Sequence, residues 1–256
     1  MTTSTDGRVN FWSMSNLREP VESLLIPGGS VACLAVAPES ESLVLGDEQG
    51  SLYSVMTTTT ATGGNTKKTS TRRKQVRKWE TAAESDGATP APGHYGMVTS
   101  VATRMRVAQG TGLVKGFSRG SAGLVLTTGV DWTTQLWAPA YKDTPLMSWT
   151  SHSYDSVSAV AWNPQNPGVW ASASSNGSIG LWNLAHSLDE ALTDGVMVDD
   201  GLMQLSWSSD GRRLAVAGAG GRVHLLTVAD EVMRPKGDED AKIVSQLVTR
   251  GLISRP

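Results

Sequence analysis

Hydrophobic and polar residues alternate in short runs along this chain, and the runs return at a nearly fixed interval. In Val157-Ser158-Ala159-Val160-Ala161-Trp162 every second residue can face one side of a sheet. Five segments share a small or polar turn followed by a strand that closes on an aromatic or apolar residue. They run from Asp6-Gly7 to Trp12, Gln49-Gly50 to Val55, Asp131-Trp132 to Trp137, Asn176-Gly177 to Trp182 and Gly220-Gly221 to Leu226. The closing residues are separated by 43, 82, 45 and 44 positions, and the interval of 82 holds one ordinary period plus an insertion. A second strand is expected upstream of each later turn, at 43–45, 124–127, 169–173 and 214–217. A third lies upstream again, at 31–36, 98–102, 157–162 and 203–207. Asn176-Gly177 and Ser209-Asp210-Gly211 supply the positive φ that tight hairpins need.

Several short antiparallel strands per period, with a terminal Trp, predict an all-β fold: a WD40-type β-propeller. The chain opens in mid-blade, with a turn and one outer strand, so the expectation is an incomplete ring of four full blades and one partial blade. Such a ring reads as part of a longer chain, since the partial blade leaves a sheet edge open. The propeller is expected over 1–228. Residues 56–93, rich in Thr, Ala, Ser, Gly and Pro and carrying Lys67, Lys68, Arg72, Arg73, Lys74, Arg77 and Lys78, read as a disordered basic insertion. A second Gly-rich insert, 107–123, reads as a loop. Over the tail, 229–256, the spacing of Ile243, Val244, Leu247 and Val248 predicts a short amphipathic helix at 238–250, docked on its own propeller.

Polar residues that brace a blade are present in part. Asp131 lies six positions before Trp137, and His94 precedes the first strand of that repeat. A buried network of His94, Asp131 and Trp137 is expected, with Thr127 or Thr128 as its hydroxyl. The next repeat keeps His152 and Trp182, with Asn176 in place of the Asp. The last has Gly220 and Leu226 there and is expected to rely on apolar packing alone. His94 and Asp131 also fit a catalytic pair, but a satisfied buried network explains both without a substrate.

Composition removes several function classes. Lys and Arg total 22 against 24 Asp and Glu, a net charge of -2, so no attraction to nucleic acid or membrane is expected. Cys33, the single cysteine, sits in an apolar run and reads as a buried, inert thiol in a reducing compartment. No stretch approaches the ~20 apolar residues of a membrane span. Gly116-Phe117-Ser118-Arg119-Gly120 matches the nucleophile-elbow string, but that motif needs a strand before the Ser and a helix after it, and here a strand follows. Gly110-Thr111-Gly112 does not continue into a phosphate cradle. Four scattered histidines with one Cys make no zinc set, and no cofactor, metal or enzymatic activity is expected.

Read in order, the repeats resemble the dynein intermediate chain family. The matching stretches are Ser4-Thr5-Asp6-Gly7-Arg8 with Trp12-Ser13-Met14 and Leu17, and Asp131-Trp132-Thr133-Thr134-Gln135-Leu136-Trp137. To these are added Val160-Ala161-Trp162-Asn163-Pro164, Leu181-Trp182-Asn183-Leu184, and Trp207 with Gly211-Arg212 and Ala215-Val216. The Asp-Trp-Thr turn is the most specific of these. The cytoplasmic branch fits better than the axonemal one. The resemblance implies a cytoplasmic, cytoskeleton-associated subunit of a minus-end-directed microtubule motor, whose propeller binds the dynein heavy chain. Other dynein subunits would bind through a region N-terminal to this sequence. The alternative is a generic WD40 adaptor, such as a ubiquitin-ligase substrate receptor. No partner-binding residue is identifiable from sequence.

Overall fold

The computed structural model describes residues 1–37, 42–62, 69–79, 93–104, 123–139, 142–151, 154–193, 195–234 and 239–253. Among these residues the chain folds into five antiparallel sheets, each built from strands consecutive in sequence. The first holds β1 (Thr2–Thr3), β2 (Arg8–Phe11) and β3 (Glu22–Leu25). The second holds β4 (Val31–Ala37), β5 (Ser42–Asp47), β6 (Leu52–Thr62) and β7 (Thr69–Lys78). The third is β8 (Val98–Thr103), β9 (Val125–Gly129), β10 (Thr133–Trp137) and β11 (Met147–Thr150). The fourth is β12 (Val157–Trp162), β13 (Val169–Ser174), β14 (Ser178–Asn183) and β15 (Val196–Met197). The last is β16 (Leu202–Trp207), β17 (Arg213–Gly218) and β18 (Val223–Thr227).

The repeat is visible in the backbone as well as in the sequence. β4, β8, β12 and β16 each carry a register shift near their start, at Val31/Cys33, Val98/Ser100, Val157/Ala159 and Leu202/Gln204. A bulge at the same position in four of the five sheets adds twist where successive sheets must fan out. These four strands pack on one another in order, β4 on β8, β8 on β12 and β12 on β16. The first sheet meets the second through β1 and β4, and no comparable contact joins the first sheet to the last among the described residues.

Each junction between sheets is apolar. Val9, Ile26, Leu45 and Tyr53 fill the first, and Val44, Leu52, Trp79, Val98 and Trp137 the second. The third holds Leu126, Leu136, Trp162 and Trp170, and the fourth Val169, Leu181, Leu205 and Val216. Helix α1 (Asp230–Met233) follows β18, and α2 (Glu239–Thr249) lies on the third junction, with Ile243 and Leu247 buried among Leu184 and Leu188. Burying each of those side chains contributes ~1.5–3 kcal/mol before entropy. Arg250 at the helix end meets Asp189, with Nη1 at 3.0 Å, and Arg104 pairs with Asp240.

Three expectations need correction. The first sheet has three strands, not one outer strand, because the seven residues before Arg8 already supply β1 and the chain after β2 returns as β3. The basic stretch within 56–93 is not all insertion: residues 57–62 prolong β6, and β7 pairs with it in unbroken register from Tyr53↔Lys78 to Thr62↔Thr69. Residues 63–68 and 80–92 lie outside the described residues, as do 105–122, which include the nucleophile-elbow string. β7 shows no hydrophobic alternation, because it carries one apolar residue, Val76, and pairs through its backbone. Two of its charges are paired within the chain: Lys74 pairs with Glu22 and lies 3.1 Å over the Phe11 ring, and Arg77 pairs with Asp143. The last sheet does not rely on apolar packing alone, since Asp200 Oδ1 accepts from Gly220 N at 3.0 Å and Oδ2 lies 3.5 Å from Arg222.

Candidate functional site

The third sheet gathers a compact polar cluster. Asp131, in the turn between β9 and β10, lies against His94, which precedes β8. His94 Nδ1 is 3.1 and 3.2 Å from the two Asp131 carboxylate oxygens, and Nε2 is 2.7 Å from Thr127 Oγ1 on β9. Trp137 Nε1, at the end of β10, donates to the same hydroxyl at 2.8 Å. Tyr95 N donates to Asp131 Oδ2 at 2.9 Å, and Thr133 Oγ1 donates to Oδ1 at 2.8 Å. A hydrogen on Nδ1 satisfies every contact: His94 donates to Asp131 and accepts from the Thr127 hydroxyl, which in turn accepts from the indole. Thr128 is not in this chain; its hydroxyl meets Thr99 at 2.9 Å.

This cluster is closed to solvent. His94 and Thr127 are fully buried, as is Trp137. Both ring nitrogens of His94 are engaged, so it has no face for a substrate proton, which a general base must reach. Burial raises the Asp131 carboxyl, but the hydrogen bond and electrostatic pull of the His94 ring, the Tyr95 N–H and the Thr133 hydroxyl outweigh it and bring the carboxyl down to about 2.

Of the network expected in the fourth sheet, Asn176 and Trp182 lie among the described residues. Asn176 Oδ1 accepts from Ser178 N at 2.9 Å, closing its own turn. Trp182 Nε1 is buried without a hydrogen-bond partner, and its ring stacks on Trp170 at 5.0 Å and 2°. His152 lies outside the described residues. The sequence reading missed the second sheet, where Asp47 Oδ1 accepts from Gln49 N and Ser51 N at 2.9 and 2.7 Å and Oδ2 accepts from Tyr53 Oη at 3.1 Å. Burial, with the Asp47 charge behind it, pushes the Tyr53 phenol up to about 12. The available signal was an Asp four positions before the strand-opening Ser51, the spacing of an Asx-type turn.

Cys33 is partly buried on β4, its Sγ 3.4 Å from Val98 O, and burial pushes its thiol up to about 12. Such a thiol is not poised as a nucleophile.

One end of the sheets carries the turns between the second and third strand of each blade. The turn residue accepts a backbone hydrogen bond from the segment after the outer strand in four blades: Ile26 N to Gly7 O, His94 N to Gly50 O, Ser151 N to Trp132 O and Val198 N to Gly177 O, at 2.8 to 3.0 Å. Around the third blade this end is aromatic and exposed. Trp132 and Tyr154 pack edge to face with centroids 5.6 Å apart, and Tyr95 projects nearby.

Comparisons with known proteins agree with this architecture. The family model "WD domain, G-beta repeat" matches residues 143–183, from just before β11 to the end of β14. Cytoplasmic dynein 1 intermediate chain of Drosophila melanogaster is 27% identical over 253 residues, covering 95% of this chain and 33% of that protein. Dynein intermediate chain 3, ciliary, of Heliocidaris crassispina is 24% identical over 252 residues, 94% of this chain and 36% of that protein. This chain therefore spans about a third of the length of these curated relatives. A chain in the crystal structure of the mitotic checkpoint complex superposes with a TM-score of 0.60 at 16% identity, over 89% of this chain and 58% of that one, which shows the fold alone. This is a WD40-type β-propeller chain, similar over nearly its whole length to dynein intermediate chains.

Proposed function

We propose that this chain is a non-catalytic scaffold in a dynein motor complex, where its propeller binds the dynein heavy chain. The carrying observation is similarity to dynein intermediate chains over 95% of the chain rather than over one repeat. Identity is somewhat higher to the cytoplasmic than to the ciliary relative, which supports a cytoplasmic, microtubule-associated complex. Two features of the fold suit the role. Stacked sheets with apolar junctions hold their loops at fixed positions, so little conformational freedom is lost on binding. The polar cluster that most resembles catalytic machinery, His94 with Asp131, is buried and internally satisfied.

The test is to tag the endogenous protein that carries this sequence, isolate it from native cytosol at moderate salt and identify what copurifies. Dynein heavy chain is expected, and it should be lost when residues 1–256 are deleted. Recovery of cullin-type ligase subunits with no heavy chain would overturn the motor reading in favour of a ligase adaptor.

A further inference from the structure

The geometry points to Trp132 and Tyr154 as an anchor that captures an arginine- or lysine-bearing segment of a partner protein. The first ground is a comparison within the chain. The turn position occupied by Trp132 is glycine in every other blade: Gly7, Gly50, Gly177 and Gly221, with φ between 78° and 91°. Trp132 keeps that left-handed backbone at φ 66°, although a side chain there is disfavoured and glycine is the ordinary solution. In three of the other four turns a Cβ has no room: at Gly7 it would meet Gly29 O at 2.8 Å, at Gly50 His94 O at 1.9 Å, and at Gly177 Val198 O at 2.0 Å; at Gly221 the space is open. The third blade has opened space for a large ring and accepts the backbone cost.

What that cost secures is not burial. Trp132 is 44% exposed and Tyr154 67% exposed, and Tyr154 is itself left-handed at φ 55°. Trp132 and Tyr154 are the two non-glycine residues with positive φ among the described residues, and their rings are in contact at 83°. Tyr95, 76% exposed, is tied to the same turn through its N–H to Asp131. Backbone strain held at an exposed aromatic pair marks a binding position rather than a packing one.

The second ground is charge. Among the described residues, the loops at this end carry Glu48, Asp155 and Asp199, while Arg8 is paired with Asp6 and Arg222 with Asp200, and Lys78, at the end of β7, lies over the Tyr53 ring. An aromatic edge-to-face pair with Asp155 next to it in sequence, at an end of the sheets whose loops carry further carboxylates, favours a cation that can stack on a ring face, arginine above all. This inference rests on the reading of the chain as a protein-binding propeller, and it assigns the surface and the chemistry of the partner.

The probes are two synthetic helical peptides of equal length, one bearing arginines and the other glutamates at the same positions. Their binding to the full chain is read by fluorescence anisotropy. The arginine peptide should bind more tightly, and Trp132→Gly should weaken it about tenfold. Glu48→Lys with Asp155→Lys should reverse the peptide preference. Trp132→Gly should unfold no more easily than the parent chain, since glycine accepts the turn without strain. Equal binding of both peptides, unchanged binding by Trp132→Gly, or a clear loss of stability in that variant would each overturn the inference. Heavy-chain capture by the parent chain is scored separately. If heavy chain is captured equally by Trp132→Gly, this inference falls and the motor reading stands. If the peptides behave as expected while no heavy chain is captured, the motor reading falls alone.

Discussion

Asp131→Ala is the sharpest perturbation of the third blade, because one carboxylate collects four donors. His94 Nδ1, Tyr95 N, Thr133 N and Thr133 Oγ1 all approach it, at 2.8 to 3.2 Å. Its side chain is 7% exposed and His94 is 0% exposed, so water has little access to replace the lost acceptor. Orphaning buried donors costs ~1–3 kcal/mol each when unrelieved, and partial relaxation brings the expected total to ~3 kcal/mol. For a chain of this size that lowers the melting temperature by roughly 6–12 °C. Asp131→Asn keeps the shape and one carbonyl acceptor, and should cost ~1 kcal/mol. Thermal unfolding followed by circular dichroism measures both. Acid supplies a second readout. The folded carboxyl, at about 2, lies below its ordinary 3.8, so its ionised form is stabilised by folding. That contribution is complete above about 3.8 and is lost as the pH falls towards about 2. The advantage of the parent chain over Asp131→Asn should therefore shrink across that window. Equal damage from Ala and Asn at neutral pH, or a gap that does not narrow in acid, would refute the account of Asp131 as a hydrogen-bond acceptor.

Trp79, fully buried after β7 and 5.3 Å from Trp137, should cost ~3–5 kcal/mol as Trp79→Ala. Trp79→Phe should cost much less, since the indole Nε1 has no partner to lose; a chevron or denaturant titration separates the two. Cys33, with its thiol near 12, should resist iodoacetamide in the native chain at pH 8 and react at once in denaturant. Fast native alkylation would contradict its burial.

How much was legible in the sequence depended on the kind of contact. Turns announce themselves, because Asp6-Gly7 and Asn176-Gly177 need specific backbone angles that few residues supply. Inner strands are equally plain, since β12 must show alternate residues to a neighbouring sheet. β7 was not legible: an outermost strand packs on few side chains, and Lys74 and Arg77 look like part of a solvated tail until Glu22, Asp143 and Phe11 are found beside them. Among the polar residues, the pattern of His94, Asp131 and Trp137 was readable because each sits at a fixed place in the repeat. Asp47 with Tyr53 was not, because a tyrosine stands where no brace is expected. The aromatic pair of Trp132 and Tyr154 was half visible. The Trp is conspicuous in its turn, but its partner lies 22 positions on, in a loop with no periodicity.

The hairpin of β6 and β7 carries a consequence for how this propeller varies in shape. β5 stops pairing at Ser42, opposite Met56, so residues 57–62 and their partners 69–74 run on as a two-stranded ribbon. At about 3.3 Å per residue the ribbon reaches roughly 20 Å past the sheet, at the end opposite the Trp132 turn. Its length is therefore an independent dimension of the molecule. Removing one residue from each strand shortens the ribbon and leaves every remaining pair opposite its old partner. Removing one from a single strand turns the rest of that strand over, face for face. Insertions and deletions here should come in balanced pairs, and the ribbon can lengthen or shrink like a telescoping arm while the blades behind it stay fixed.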